Sequence, residues 1–180
     1  MENLFEPILD SDEKIIKVIK PSKTKLFLSS ILQALYVLLI MCVAPIIALS
    51  INGLFIFLII PFIALGLGIF LALLFTNIYY NNLYFTYTNK RIIIRSGIFG
   101  VDYKSLDMGM IGAINVSVSL IDKILNKNTG TISFGSTASP INAYGNTAGV
   151  SSYKFSHITA PYDLYREIKT IIDEYKIAKK

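Results

Sequence analysis

Apolar and polar positions fall into distinct regimes along the chain. Between Lys25 and Lys90, positions 26 to 89 contain no Asp, Glu, Lys, Arg or His. Ser50-Ile51-Asn52-Gly53 is a turn signal that divides this run into 26–49 and 54–75. At about 1.5 Å per residue each half reaches roughly 33–36 Å as a helix, against a hydrocarbon layer of about 30 Å. The pattern predicts a two-helix transmembrane hairpin within 26–78. Small residues at four-residue spacing, Ala64, Gly68 and Ala72 on the second helix and Ser30 and Ala34 on the first, would let the helices pack closely. Lys14, Lys17, Lys20, Lys23 and Lys25 precede the run, Lys90, Arg91 and Arg95 follow it, and the turn has no basic residue. The positive-inside bias then predicts a multi-pass protein of the cell membrane with both termini in the cytoplasm. Residues 1–25 form a cytoplasmic N-terminal segment in this reading.

Beyond Asn82 the period changes. Leu83 to Thr88 and Arg91 to Ser96 are rich in aromatic and β-branched residues and are separated only by Asn89-Lys90, the signature of a β-hairpin. Val101 to Asp107, Met110 to Val118, Thr131 to Thr137 and Ser152 to Ile158 read as further strands. Ile114, Val116 and Val118 alternate with Asn115 and Ser117, as in a half-buried strand. Leu120 to Leu125 reads as a short helical turn. From Pro161, the residues Leu164, Tyr165, Ile168, Ile171, Ile172 and Tyr175 recur at spacings of three and four, an amphipathic helix with Asp163 in its first turn and lysines at its end. Residues 83–180 are thus expected to be one cytoplasmic domain of antiparallel strands closed by a C-terminal helix, an α+β fold.

Particular segments carry a family resemblance. They are Tyr87-Thr88-Asn89-Lys90-Arg91-Ile92-Ile93-Ile94-Arg95-Ser96-Gly97, Ile114-Asn115-Val116-Ser117-Val118 with Leu120-Ile121-Asp122-Lys123-Ile124-Leu125, Asn128-Thr129-Gly130-Thr131-Ile132, and Ile158-Thr159-Ala160-Pro161-Tyr162. With the preceding helix pair, this resembles the bacterial pleckstrin-homology-like (YdbS-like) membrane proteins. The resemblance implies two packed antiparallel sheets, a PH-like β domain, capped by the final helix. Its motifs are structural. Asn126 stands where the family commonly has glycine, and the segment from Ala138 to Gly149 is long.

Composition narrows the chemistry. The chain is 53% hydrophobic and 16% charged, against about 25% charged in ordinary soluble domains. A lone Cys42 excludes a disulfide framework. His157 is the one histidine and has no Cys or Asp beside it in sequence, so no metal site, cofactor or catalytic centre is expected and the chain does not read as an enzyme. Gly130 to Thr137 mimics a phosphate loop but lacks its lysine and reads as a strand.

Charge is distributed unevenly. Residues 1–25 balance five acids against five lysines, so the net +5 belongs to 83–180. Lys90, Arg91, Arg95 and Lys104 are the candidate contacts to anionic lipid, and nucleic-acid binding lacks a motif. Positions 128–153 are again uncharged, and Ile141 and Tyr144 within them are candidate partner-binding residues of a loop. The sequence thus points to a membrane-anchored, non-catalytic interaction module that meets membrane lipids and binds a protein partner or forms a homo-oligomer. Its rival is an anionic-lipid-binding or envelope-protection protein conferring antimicrobial peptide resistance.

Overall fold

The structure, a computed structural model, describes residues 2–52, 56–119, 128–136 and 153–178, with backbone alone at 2, 38, 41–52, 56–62, 64 and 65. The chain forms two compact units, one of residues 1–22 and 82–180, the other of residues 23–81.

Among the described residues, the first unit is built on seven antiparallel strands. A four-stranded sheet has the order β1 (Ile15–Ile19), β2 (Tyr84–Thr88), β3 (Arg91–Ser96), β4 (Asp102–Asp107). A three-stranded sheet follows as β5 (Ile111–Ser117), β6 (Thr129–Ser136), β7 (Tyr153–Thr159). Side chains alternate across each strand, so Phe85 and Tyr87 face one way with Ile92 and Ile94 beside them in register, while Thr86 and Thr88 face the other with Ile93 and Arg91. The first face meets the second sheet: the Phe85 ring stacks on Phe155 at 4.9 Å, and Phe134 meets Phe155 edge-on at 5.0 Å. The C-terminal helix α3 (Pro161–Ala178) buries Leu164, Ile168 and Ile172. Gly130 is required where α3 begins, because a Cβ there would lie 2.9 Å from both the Pro161 ring and the Ser117 carbonyl oxygen.

The opposite face of the first sheet is also buried. Thr86, Thr88 and Ile93 are each fully covered, and residues 2–13, containing two short 3-10 turns, bring Phe5 to full burial and Glu13 nearly so. Phe5 meets the Tyr103 ring edge-on, and the Tyr103 hydroxyl donates to the Leu4 carbonyl at 2.8 Å. Residues 2–13 therefore act as a strap over this face.

The second unit pairs α1 (Lys23–Asn52) with α2 (Ile56–Asn82). The Ser30 and Thr76 hydroxyls share a 2.6 Å hydrogen bond between them, and Lys23 lies over the Phe27 and Tyr80 rings. Among the described residues no helix is long and apolar enough to cross a membrane. This corrects the transmembrane hairpin expected at 26–49 and 54–75, and with it the multi-pass cell-membrane localisation with two cytoplasmic termini. The described helices carry polar residues around these bounds and, in the first, inside them. α1 opens on Lys23, Thr24 and Lys25 and carries Ser29, Ser30 and Gln33, while α2 closes on Thr76, Asn77, Asn81 and Asn82. What the helices do present is exposed apolar surface, including Tyr36, Leu39, Ile63, Leu67 and Phe70, each more than half exposed.

The expected helical turn at 120–125 and nearly all of the 136–152 loop lie outside the described residues.

Candidate functional site

The basic residues picked out by charge sit on and beside the β2–β3 hairpin, whose two-residue turn is Asn89-Lys90. The turn is held from the strap side. Asn89 exchanges hydrogen bonds with Lys14, its Oδ1 accepting from the Lys14 amide at 2.8 Å and its own amide donating to the Lys14 carbonyl at 3.2 Å. Lys90 extends to Asp12, with Asp10 3.7 Å away.

Arg91 is clamped more tightly. Its Nε and Nη2 donate to Glu13 Oε1 and Oε2 at 3.0 and 2.7 Å, and Nη2 also donates to the Ile8 carbonyl at 2.7 Å. The Thr88 hydroxyl donates to the same Glu13 carboxylate at 2.6 Å. The Glu13 side chain is fully buried, that of Arg91 about one-fifth exposed. Burial alone would raise the Glu13 pKa, but the donated hydrogen bonds of Arg91 and Thr88 outweigh it and hold the carboxyl below its ordinary value. A bidentate guanidinium–carboxylate pair out of water is strong and directional. Both Lys90 and Arg91 are thus engaged by acids of the N-terminal segment.

The other two candidates separate. Arg95 shares the Arg91 face but stands four residues further along, about 13 Å, opposite Tyr84 on β2 and Tyr103 on β4. Lys104 pairs with Ile94, so it belongs to the opposite face of the sheet and is exposed. No single basic patch contains all four residues. Arg95 lies 5.7 Å from the Tyr84 ring centroid, and its buried Nε makes no hydrogen bond among the described residues. Lys20 approaches the same ring at 4.3 Å and donates to the Tyr84 hydroxyl at 2.9 Å. Ile141 and Tyr144 lie outside the described residues.

Sequence reasoning missed Asp10, Asp12, Glu13, Lys20 and Tyr84. One signal was available. The zero charge balance of residues 1–25, beside a basic hairpin, suggests a partner for that hairpin, and Ile15-Ile16-Lys17-Val18-Ile19 is a β-branched run with strand propensity.

The inner face holds a second polar cluster. Glu167 of α3 accepts from Lys17 Nζ at 2.7 Å and from the Tyr87 hydroxyl. Lys17 and then Tyr87 hold the carboxyl below its usual range, while burial followed by this acidic neighbour raises the phenol. The cluster joins β1, β2 and α3, so its work is to fix the helix. Between α3 and the edge strand β5 runs a groove of about 150 Å³. Lys176 Nζ crosses it to the Ile111 carbonyl at 2.8 Å. Among the described residues no three His, Cys, Asp or Glu side chains converge as metal ligands.

Two antiparallel sheets closed by a C-terminal helix agree with the comparison by sequence, in which the family model for the bacterial PH domain matches residues 26–170. The chain belongs to the bacterial PH domain family. No curated protein and no solved structure matches it. PH-like domains are in general non-catalytic modules that bind lipids or proteins. The match to the bacterial PH domain takes in both helices and most of the β unit, whereas the strap and β1 precede it.

Proposed function

We propose that the chain is a non-catalytic interaction module whose apolar helix pair anchors it to a membrane and whose PH-like unit binds a protein partner or a second copy. The observation that carries the reading is the exposed apolar surface of the helices. Leu39 and Tyr36 on α1 and Ile63 and Phe70 on α2 are each about two-thirds exposed, and positions 26 to 89 contain no Asp, Glu, Lys, Arg or His. Apolar area on that scale marks a lipid or protein contact, and its lack of charge favours lipid, since no ion needs desolvating. Flotation of the full chain with neutral vesicles in high salt tests this. Association that survives salt supports the anchor. Recovery of the chain free of vesicles refutes it, as does undiminished flotation of a variant carrying Leu39→Glu and Phe70→Glu.

The partner surface is proposed to include Ile141 and Tyr144, because large apolar side chains in an uncharged segment can pack against another chain without desolvating a charge. Replacing both with Ser should abolish a cross-link to the partner or second copy while leaving the melting temperature unchanged. An unaltered cross-link moves the surface elsewhere.

The alternative reading, anionic-lipid binding or envelope protection through Lys90, Arg91, Arg95 and Lys104, has narrower support. Lys90 and Arg91 are engaged by the strap acids, which leaves Arg95 and Lys104 as its candidates.

A further inference from the structure

The order of the three-stranded sheet places β5 at an edge, with β6 on one side and no described strand on the other. Alternate residues of an edge strand turn their N–H and C=O groups away from the sheet, and edges are ordinarily blunted by a charge or a proline on the strand. β5 carries neither, and no charged residue occurs from Met108 to Ser119. Beside this edge runs the groove of about 150 Å³, whose other wall is one stripe of α3. Gly112 and Ala113, both exposed, line the strand side and leave room for a second backbone. Buried Ile172 and half-buried Ile114 give the groove an apolar centre, and exposed Lys169, Asp173 and Lys176 stand along the helix. None of these three charged side chains is engaged in an ion pair among the described residues. Lys176 Nζ instead reaches across to the Ile111 carbonyl at 2.8 Å. This edge carbonyl accepts a donor from outside the sheet, so the ammonium stands in for the N–H of an added strand.

We infer that this groove receives an extended peptide segment that adds to β5 as a further strand and carries the pattern acidic-x-apolar-x-acidic. The inference rests on the reading of the β unit as a protein-binding module, and it names a site and a ligand chemistry apart from Ile141 and Tyr144. Main-chain pairing with the strand supplies affinity, and side-chain contacts supply selectivity. Lys169 and Lys176 are seven residues apart, about 10 Å along the helix, with Ile172 between them. Side chains i and i+4 on one face of a strand are about 13 Å apart, with i+2 between, a mismatch that flexible lysine stems absorb. A carboxylate at each end and an apolar residue at the centre therefore meet the two cations and Ile172. Once a peptide N–H displaces it from the Ile111 carbonyl, the Lys176 ammonium is free to take the second carboxylate. Two cations against the one Asp173 carboxylate favour an acidic segment over a basic one.

The probe is a pool of terminally blocked heptapeptides, Thr-Glu-Thr-X-Thr-Glu-Thr with X drawn from Val, Ile, Leu, Phe and Tyr, set against the same pool with Lys in place of Glu. With the isotope-labelled full-length chain in neutral detergent micelles, the Glu pool should give saturable shifts of the β5 and α3 amides and bind about tenfold tighter than the Lys pool. Lys169→Ala and Lys176→Ala should each weaken that binding by up to about fivefold, and Asp173→Asn should strengthen it. N-methylation of alternate peptide residues leaves the protein untouched. In an added strand one alternating set of N–H groups faces β5 and the other faces away. Methylating the first set should weaken binding about tenfold or more, and methylating the second should change it little. Equal loss from the two sets, or none from either, overturns strand addition. Equal binding of the Glu and Lys pools overturns the acidic pattern. Shifts of β5 that follow protein concentration without peptide assign the edge to a second copy and overturn the peptide site. Absence of shifts from every peptide, with the cross-link to a partner intact, overturns the groove and leaves the interaction module standing; absence of both overturns both.

Discussion

Arg91→Ala is expected to open the β unit from the strap side. In the native chain the Glu13 carboxylate is fully buried and receives Arg91 Nε, Arg91 Nη2, the Thr88 hydroxyl and the Asp10 amide, the last at 3.2 Å. Deleting the guanidinium leaves a buried carboxylate with two neutral donors, and stranding one partner of a buried ion pair costs about 3–5 kcal/mol. Glu13→Ala should cost less, about 1–3 kcal/mol, because Arg91 keeps the Ile8 carbonyl and is partly exposed to water. The double variant should cost less than the two single losses combined, with a coupling of about 0.5–3 kcal/mol. Hydrogen exchange of the β2 and β3 amides in the full-length chain measures the opening of this unit separately from the helices. At about 1.4 kcal/mol per factor of ten, Arg91→Ala should raise the opening constant roughly a hundredfold or more. Single losses each under about 0.5 kcal/mol, adding without coupling, would refute the strap as a structural part of the sheet.

Further outcomes follow from the packing. Ile168→Ala removes a fully buried side chain of α3 and should cost about 2–5 kcal/mol, whereas exposed Lys169→Ala should stay within about 0.5 kcal/mol; equal losses in thermal denaturation would reject the assigned helix face. Gly130→Ala forces a Cβ to 2.9 Å from the Ser117 carbonyl oxygen and the Pro161 ring, costing about 1–3 kcal/mol, while Gly100→Ala, which meets nothing within 4 Å, should leave the melting temperature nearly unchanged. Acid should release the strap. The Glu13 carboxyl is held below its ordinary 4.5, so its stabilisation is fully present above that pH and is lost as pH falls through the lowered folded value. Melting temperature should therefore decline below about pH 4.5, and Glu13→Gln should flatten that part of the profile; an unchanged acid limb in the variant would show that other carboxylates control it.

Much of the β unit was legible because its signals are local. Arg91-Ile92-Ile93-Ile94-Arg95 is flanked by turn residues and cannot form an amphipathic helix, and the Leu164, Ile168, Ile172 spacing picks out the buried stripe of α3 before any partner is known. The strap was not legible, since Glu13 and Arg91 lie on either side of the helix pair and no local period records so distant a contact. The same distance hid β1, whose Ile15 pairs with Thr88. Charge counting located Lys90, Arg91, Arg95 and Lys104 but carried no information on strand faces, so it grouped residues that the register separates. For the helices, absence of charge alone does not establish crossing length, and Ser29, Ser30 and Gln33 lie inside the first expected span.

Alkaline carbonate extraction of membranes from cells producing the full-length chain tests the central claim most directly. The account expects the protein to stay in the membrane pellet after carbonate treatment, because the exposed side chains of α1 and α2 are held by apolar contact that neither high pH nor salt dissolves. Release of the chain into the carbonate supernatant with peripheral proteins would contradict membrane anchoring through the helix pair.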